Sequence, residues 1–129
     1  MARKFDVFVS HAHQDSKWVR QLTEALKERG LSVCSDEDRV GPGEEWGRKT
    51  REGLRNSSSV VFLVGPGAAN SNWLALELGM VLAAGKPIIP VVDPAVAPEE
   101  IPGPIRRRQY LKQEDPKTVA EEIAEAVSI

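Results

Sequence analysis

The sequence has one cysteine and no excess of positive charge, and each shortage excludes a class of protein. Cys34, the single thiol, cannot form an internal disulfide or hold a metal ion alone, so a reducing compartment is expected. Lys and Arg number 17 against 19 Asp and Glu, a net charge of −2. Because nucleic-acid binders usually carry a basic excess, we expect no direct nucleic-acid partner.

The sequence also lacks a hydrophobic run long enough for a membrane. Asp6 interrupts the N-terminal segment before the apolar core of a signal peptide could begin. The longest apolar stretch, residues 73–85, contains Glu77 and is shorter than the roughly 20 residues that span a bilayer. We therefore predict a cytoplasmic protein without a membrane partner.

Glycine-rich phosphate motifs are missing as well. No GxGxxG follows the first predicted strand, and no GxxxxGK[ST] occurs, so a standard dinucleotide or triphosphate cradle is excluded. With 129 residues, 41% hydrophobic and 28% charged, the chain has the composition of a folded protein. We predict one domain over residues 1–129, which is either a whole protein or a piece of a longer chain.

What is present is an alternation of strand and helix patterns. Strands are predicted at residues 5–9, 31–34, 59–64 and 88–92, with a short edge strand at 108–111. Helices are predicted at 16–29, 44–55, 72–84 and 116–126, and residues 93–105 form a proline-rich loop. The fold class predicted from this alternation is α/β, with a central parallel sheet of about five strands and helices on both faces.

Several local features sharpen these elements. The first helix buries one stripe and ends at Gly30, and the helix over 72–84 is predicted to bury another. The two stripes are Trp18, Leu22, Ala25 and Leu26, and Leu74, Leu78, Val81 and Leu82. Pro90 indicates that the N–H side of its strand is unpaired, and Asp115 is predicted to cap the last helix.

Glu77 is the main chemical anomaly, because every other residue between Trp73 and Gly85 is apolar or glycine. On a helix, Glu77 shares a stripe with Trp73, Met80 and Ala84 that could line the edge of a cleft. A carboxylate held there could stabilise a developing cation. The alternative is a boundary glutamate that pairs with a neighbouring lysine or arginine.

Two other polar segments have weaker signals. The loop that begins with Ser10 and His11 lies where α/β proteins bind ligands, but His11 and His13 are too few for a metal site, and we predict none. The basic run at residues 106–108 is typical of a solvated edge, with a partner or oligomer contact as the alternative.

Taken together, four segments resemble the Toll/interleukin-1 receptor (TIR) domain in order and spacing. They are Phe5–His11 with Asp15, Asp36–Gly43 followed by Trp46, Ser59–Val64 followed by the S-x-W-x-x-x-E segment Ser71–Leu78, and Gly85–Val91. The resemblance covers nearly the whole chain and is nearer to the bacterial branch than to animal adaptors. It implies a flavodoxin-like arrangement of the predicted sheet.

The resemblance also implies an activity. Many family members cleave NAD+ at the nicotinamide glycosidic bond and are activated by self-association, whereas others only assemble signalling complexes. The family's catalytic glutamate falls on Glu77. The residues expected to bind substrate are Trp73, Phe8, Ser10, His11, Asp38, Arg39 and Trp46.

The expected function is therefore that of an NAD+ glycohydrolase or cyclase in bacterial immune (anti-phage) or effector signalling, with a fused or separate sensor or effector domain. Its substrate is NAD+, and no further cofactor is expected. The alternative is a non-catalytic TIR scaffold for homotypic interaction.

Overall fold

The computed structural model describes residues 5–11, 16–35, 52–66 and 72–127, and within helix α2 it describes the side chains from Leu78 onward. The strands are β1 (Phe5–Ser10), β2 (Val33–Ser35), β3 (Ser57–Val64), β4 (Ile88–Val92) and β5 (Leu111–Lys112). The helices are α1 (Ser16–Glu28), α2 (Asn72–Ala84), α3 (Gly103–Arg106) and α4 (Pro116–Val127), with a 3₁₀ turn at Pro98–Glu100. Residues 52–55 are also helical.

The five strands form one parallel sheet in the order β2-β1-β3-β4-β5, which confirms the predicted flavodoxin-like α/β fold. Because β2 and β3 lie on opposite sides of β1, the chain changes direction across the sheet at β1. In open α/β sheets, ligands bind at the carboxyl ends of the strands that flank such a point. Here those ends carry Ser10 and His11 on β1 and Val64 on β3.

Side chains alternate between the two faces of the sheet, so each face has its own buried cluster. On the face that we call the α1–α4 face, Val9 and Val61 pack with residues of α1 and α4 such as Leu22 and Ile123. On the other, the α2 face, the buried residues are Phe8, Cys34, Leu54, Val60, Phe62, Val64, Leu78, Val81, Val92, Val96, Ile101 and Ile105.

The prediction for α1 is confirmed. Leu22 and Leu26 are fully buried, and Trp18 is half-buried with its Nε1 donating to Glu114 O at 2.9 Å. Gly30 ends the helix with φ +86°, and its N–H and that of Leu31 donate to the carbonyls of Lys27 and Leu26. This is a Schellman cap, which needs a residue with positive φ and therefore favours glycine.

Two strand boundaries differ from the prediction. The two residues before β2 make other hydrogen bonds. Leu31 N–H donates to the last turn of α1 as part of the helix cap, and Ser32 N–H donates to the side chain of Asp6, at Oδ2, at 2.9 Å. The strand therefore begins at Val33 and not at residue 31. The third strand begins at Ser57, two residues early, because Ser57 is already paired in register with Phe5.

Pro90 lies in a strand with neighbours on both sides, and the register explains how it fits. Pro87 O accepts from Val60 on β3, whereas Val92 O accepts from Gln113 on the β5 side. Backbone groups of alternate residues point to opposite neighbours, so the nitrogen of Pro90 faces β5. Pairing with β5 begins only at Val91, which agrees with the prediction of an unpaired N–H side.

The prediction of a plain loop at 93–105 is wrong. This segment contains the 3₁₀ turn and α3, and Val96, Ile101 and Ile105 are buried in the α2 face. The edge strand is also displaced from 108–111 to Leu111–Lys112, because Arg108 N–H still bonds to Ile105 O at the end of α3. Proline thus shapes this segment without removing it from the core.

The two later helices give one correction and one confirmation. Leu82 was predicted to be buried but is 38% exposed, whereas Leu78 and Val81 of the same predicted stripe are buried. In α4, Asp115 Oδ2 accepts from Thr118 N–H at 3.3 Å, which is the predicted cap. Within the described residues, no helix is both long and apolar enough to cross a bilayer.

Candidate functional site

The candidate site begins at the carboxyl end of β1, where two polar residues are buried. Ser10 is 0% exposed and His11 is 3% exposed. Ser10 lies opposite Phe62 in the register of β1 and β3, and it lies two residues beyond Phe8. Since strand side chains alternate, Ser10 is on the same face as Phe8, the α2 face, at the carboxyl edge of the sheet.

Helix α2 crosses the same face. It follows β3 and precedes the parallel strand β4, so it runs from the carboxyl edge back toward the amino edge of the sheet. Leu78 and Val81 bury the helix against the cluster that contains Phe8. Glu77 lies one residue before Leu78, in the second turn, so its backbone is in the half of α2 nearer the carboxyl edge. The side chains of Trp73 and Glu77 lie outside the described residues.

The other residues predicted to bind substrate fall into two groups. Asp38, Arg39 and Trp46 lie outside the described residues. Phe8 is 0% exposed and packs inside the α2 face, beneath the edge that carries Ser10. Phe8 and Ser10 therefore lie on β1 and His11 follows it directly, and the contact of all three with a substrate stays a prediction.

A cavity of about 390 Å³ borders the other half of α2. It is lined by Leu54, Arg55, Met80, Ala83, Ala84 and Lys86. Met80 and Ala84 share the predicted helical stripe of Trp73 and Glu77. The second half of this stripe therefore borders a cleft. The cavity lies near the amino edge of the sheet, away from Ser10.

Lys86 holds the neighbouring backbone together at this cavity. Its Nζ donates to Arg55 O at 2.9 Å and to Ser57 O at 2.5 Å. These carbonyls end the helical residues 52–55 and begin β3. A single ammonium group therefore joins the turn after α2 to the start of β3, with charge-assisted hydrogen bonds.

Asp93 lies at the opposite, carboxyl edge of the sheet, and the sequence analysis missed it. It follows β4 directly, its N–H donates to Val64 O at 3.0 Å, and its Oδ1 accepts from Ala95 N–H at 2.8 Å. The sequence feature that could have identified Asp93 is its position as an acidic residue just after the buried strand β4. The carboxylate lies at the carboxyl edge of the sheet, one strand away from β3.

The basic run behaves as a solvated edge. Arg106, Arg107 and Arg108 are exposed. Arg107 Nε donates to Gly103 O at 3.3 Å, and Arg108 Nη1 donates to Pro104 O at 2.6 Å. Arg107 and Arg108, which directly follow α3, thus bond to carbonyls of that short helix.

The parallel sheet in the order β2-β1-β3-β4-β5 agrees with the architecture of a TIR domain. A family model described as TIR domain matches residues 7–127, and the chain belongs to this family. The match extends from the middle of β1 to the last residue of α4, so it includes every strand of the sheet.

Two curated relatives are named as a 2' cyclic ADP-D-ribose synthase and as an NAD(+) hydrolase. The chain is 34% identical over 94 residues to the 2' cyclic ADP-D-ribose synthase BtTIR of Bacteroides thetaiotaomicron, which covers 69% of this chain and 33% of that protein. It is 31% identical over 102 residues to the NAD(+) hydrolase TcpA of Theionarchaea archaeon (strain DG-70-1), covering 76% of this chain and 31% of that one. The chain thus matches about a third of the length of these relatives.

A solved structure supports the fold at lower identity. The metazoan TIR-STING receptor from C. gigas, in complex with 2',3'-cGAMP, superposes with a TM-score of 0.84 at 21% identity. The superposition covers 98% of this chain and 40% of that chain. At this identity the similarity establishes the shared architecture and nothing about ligand.

Proposed function

We propose that this chain cleaves the bond between nicotinamide and ribose in NAD+, with Glu77 as the catalytic carboxylate. The observation that carries the proposal is the position of Glu77 in the second turn of α2. This helix packs on the sheet face that also holds Ser10, and its second turn is near the carboxyl edge, where Ser10 lies buried. Family membership supports it, as do relatives named as an NAD(+) hydrolase and a cyclic ADP-D-ribose synthase.

The chemistry of the reaction explains why one carboxylate suffices. When the C–N bond breaks, its electron pair leaves with the positively charged pyridinium, which departs as neutral nicotinamide, so no general acid is required. The ribose is left with oxocarbenium character, as in glycoside hydrolysis. A fixed carboxylate can stabilise this cation and bind the ribose hydroxyls. Water then adds to give ADP-ribose and a proton, or a second group of the same molecule adds in place of water, also with loss of a proton, to give a cyclic ADP-ribose.

The remaining predicted residues have supporting roles in this proposal. Ser10 and His11 form the floor of the site at the end of β1, and Trp73 lies one helical turn before Glu77. Asp38, Arg39 and Trp46 belong to the segment between β2 and residues 52–55, and we propose that they complete the pocket together with Phe8. The substrate is NAD+, and the proposed reaction uses no metal and no other cofactor.

The proposal extends to assembly and context. We propose that residues 1–129 act as one TIR domain, in the cytoplasm, and that self-association of the domain activates it. The chain matches about a third of the length of these relatives. We propose that a sensor or effector segment, in the same or a separate chain, accompanies the TIR domain. The setting would be bacterial immune (anti-phage) or effector signalling.

The test is to incubate the domain at high concentration with NAD+ and to quantify nicotinamide. We expect Glu77→Gln to lower the release at least about a hundredfold, because the substitution removes the charge that stabilises the cation. Glu122→Gln, on the exposed side of α4, is the matched control and should retain wild-type activity. Thermal unfolding of both variants shows whether the fold is intact.

The same assay distinguishes an enzyme from a scaffold. In a self-associating enzyme, the rate should rise faster than linearly with protein concentration. Equal release by the wild type and Glu77→Gln would remove Glu77 from the mechanism. Absence of release from the wild type, even after fusion to an oligomerising partner, would leave a TIR scaffold that only binds other TIR domains.

A further inference from the structure

The cavity beside the second half of α2 has the size of a small-molecule site. Its volume of about 390 Å³ lies within the range of about 300–1,000 Å³ that is typical of ligand pockets. It lies near the amino edge of the sheet, because Arg55 precedes β3 and Lys86 precedes β4. Ser10 and the backbone of Glu77 lie nearer the carboxyl edge, so this cavity is separate from the candidate site.

One part of the cavity wall is apolar. Leu54 is 2% exposed, and Met80 is half-buried against the apolar cluster of the α2 face. Ala83 and Ala84, in the last turn of α2, add small side chains that are exposed to solvent. A methionine thioether is flexible and polarisable, and it contacts aromatic rings favourably. This part of the wall therefore fits a compact apolar or aromatic group.

The other part of the wall carries the ammonium group of Lys86. Its Nζ donates to Arg55 O at 2.9 Å and to Ser57 O at 2.5 Å, so the position of the group is fixed. An ammonium group has three N–H donors. Two of them are used in these bonds, and within the described residues the third has no acceptor. Lys86 can therefore donate one charge-assisted hydrogen bond to an anion without losing either carbonyl.

Arg55 adds a second positive charge to the same cavity. Its side chain is exposed and makes no hydrogen bond or ion pair within the described part of the chain. Arg107 and Arg108 differ, because their side chains bond to carbonyls of α3. The planar guanidinium group of an arginine matches the geometry of a carboxylate or a phosphate. None of the described residues that line the cavity is acidic, so the two positive charges are not balanced there.

We propose that this cavity binds a small organic anion, with its carboxylate or phosphate group on Arg55 and Lys86 and its apolar part against Leu54 and Met80. The two cations attract and orient the head group, and the apolar wall removes the rest of the molecule from water. The proposal goes beyond NAD+ cleavage and does not depend on it, since the described residues that line the cavity are different from those proposed to bind NAD+.

The test titrates the protein with phenyl phosphate and follows the methyl signal of Met80 by NMR. The chain has two methionines, so labelling of methionine methyl groups gives few signals, and Met80→Leu identifies the one from the cavity. We expect phenyl phosphate to shift this signal and to bind at least about tenfold more tightly than inorganic phosphate or phenol, because each of these lacks one half of the contacts. Benzoate tests a carboxylate in the same way, and the tighter of the two anions identifies the head group.

Two pairs of variants locate the binding. Arg55→Gln removes a charge from the cavity but keeps the carbonyl that holds Lys86, and we expect it to weaken binding about tenfold. Arg20→Gln, at an exposed position of α1 on the other face of the sheet, is its matched control and should bind like the wild type. Ala83→Leu should also weaken binding about tenfold, because the larger side chain occupies part of the cavity. Ala126→Leu, at an exposed position of α4, is the control for this change.

The outcomes either support the site or overturn it. A shift of the Met80 signal by phenyl phosphate, together with weaker binding in Arg55→Gln and Ala83→Leu, supports it. An unshifted Met80 signal, or binding that both variants leave unchanged, would assign the anion to another part of the molecule. Equal weakening by Arg55→Gln and Arg20→Gln would show only a general attraction to positive charge.

A second copy of the chain is the competing occupant of the cavity. If the Met80 signal changes when the protein concentration alone is raised, and no anion shifts it, a second copy fills the cavity and the small-molecule site is overturned. Nicotinamide release is a separate measurement. Its absence from the wild type contradicts the proposed function and does not affect the proposal for this cavity.

Discussion

The two faces of the sheet are built in different ways. The α1–α4 face is covered by two helices of 13 and 12 residues, whose buried stripes supply most of its contacts. The pair is joined at the surface by the hydrogen bond from Trp18 and by an ion pair between Arg29 and Glu121 at 3.6 Å. Exposed ion pairs of this kind contribute little, so apolar burial holds this face together.

The α2 face is assembled from one helix of 13 residues and from shorter, less regular pieces. Helix α2, the helical residues 52–55 and the segment 93–106 all pack on it, and single polar groups such as Lys86 and Asp93 fix their ends. Both faces bury an apolar cluster of similar size. The comparison teaches that two regular helices cover the α1–α4 face, whereas the α2 face, which holds the candidate site, adds single hydrogen bonds that fix the ends of its pieces.

The largest expected effects come from removing one core side chain on each face. Phe62→Ala should lower the free energy of unfolding by about 4 kcal/mol and Leu22→Ala by about 3 kcal/mol, since both side chains are fully buried. Urea denaturation followed by circular dichroism gives both values.

The rate of nicotinamide release is then expected to differ between these two variants. At a temperature where both variants are folded, Leu22→Ala should release nicotinamide at the wild-type rate per folded molecule, because α1 lies on the other face. Phe62→Ala should release less, because Phe62 lies opposite Ser10 in the register. Equal loss in both variants would contradict the division of roles between the faces.

An intermediate effect is expected from the ammonium group that ties the α2 face together. Lys86→Met keeps the apolar stem but removes the donor to Arg55 O and Ser57 O, so we expect a loss of about 1–2 kcal/mol in the free energy of unfolding. Lys112→Met, at an exposed position on β5, should change stability by less than about 0.5 kcal/mol. Chemical denaturation of both proteins makes the comparison, and similar small losses would show that the carbonyls are satisfied without Lys86.

The smallest effect is expected at Leu82, where the sequence predicted burial. Leu82→Gln should change the free energy of unfolding by less than about 0.5 kcal/mol, because the side chain is 38% exposed. Its neighbour Val81 is 0% exposed, and Val81→Ala should cost about 2 kcal/mol. A large loss of unfolding free energy in Leu82→Gln would indicate that Leu82 is buried, as the periodicity predicts.

Helix α2 shows why the sequence predicted one face better than the other. In α1, polar residues separate the apolar ones, so the 3.6-residue period specifies the buried stripe. In α2 nearly every residue is apolar or small, so the period leaves several faces equally plausible, and Leu82 was assigned to the wrong one. The single carboxylate stands out for the same reason, which is why the sequence alone singles out Glu77 as a candidate.

The segment 93–105 shows a second limit of the sequence. Its prolines predict turns correctly, but turns do not reveal depth, and Val96, Ile101 and Ile105 are buried. Whether an isolated apolar residue in a turn-rich segment is buried depends on what other segments pack over it. Neither the pattern nor the composition contains that information.

The sequence by itself determined the alternation of strands and helices that implies a parallel sheet, helices α1 and α4, the caps at Gly30 and Asp115, and the motifs that resemble the TIR family, because each of these is set by residues close together in the chain. Only the tertiary structure decided that Leu82 is exposed and that the proline-rich segment supplies core residues. The physical reason is that local periodicity is set by backbone geometry, whereas the approach of distant segments is set by the shapes that must fit between them.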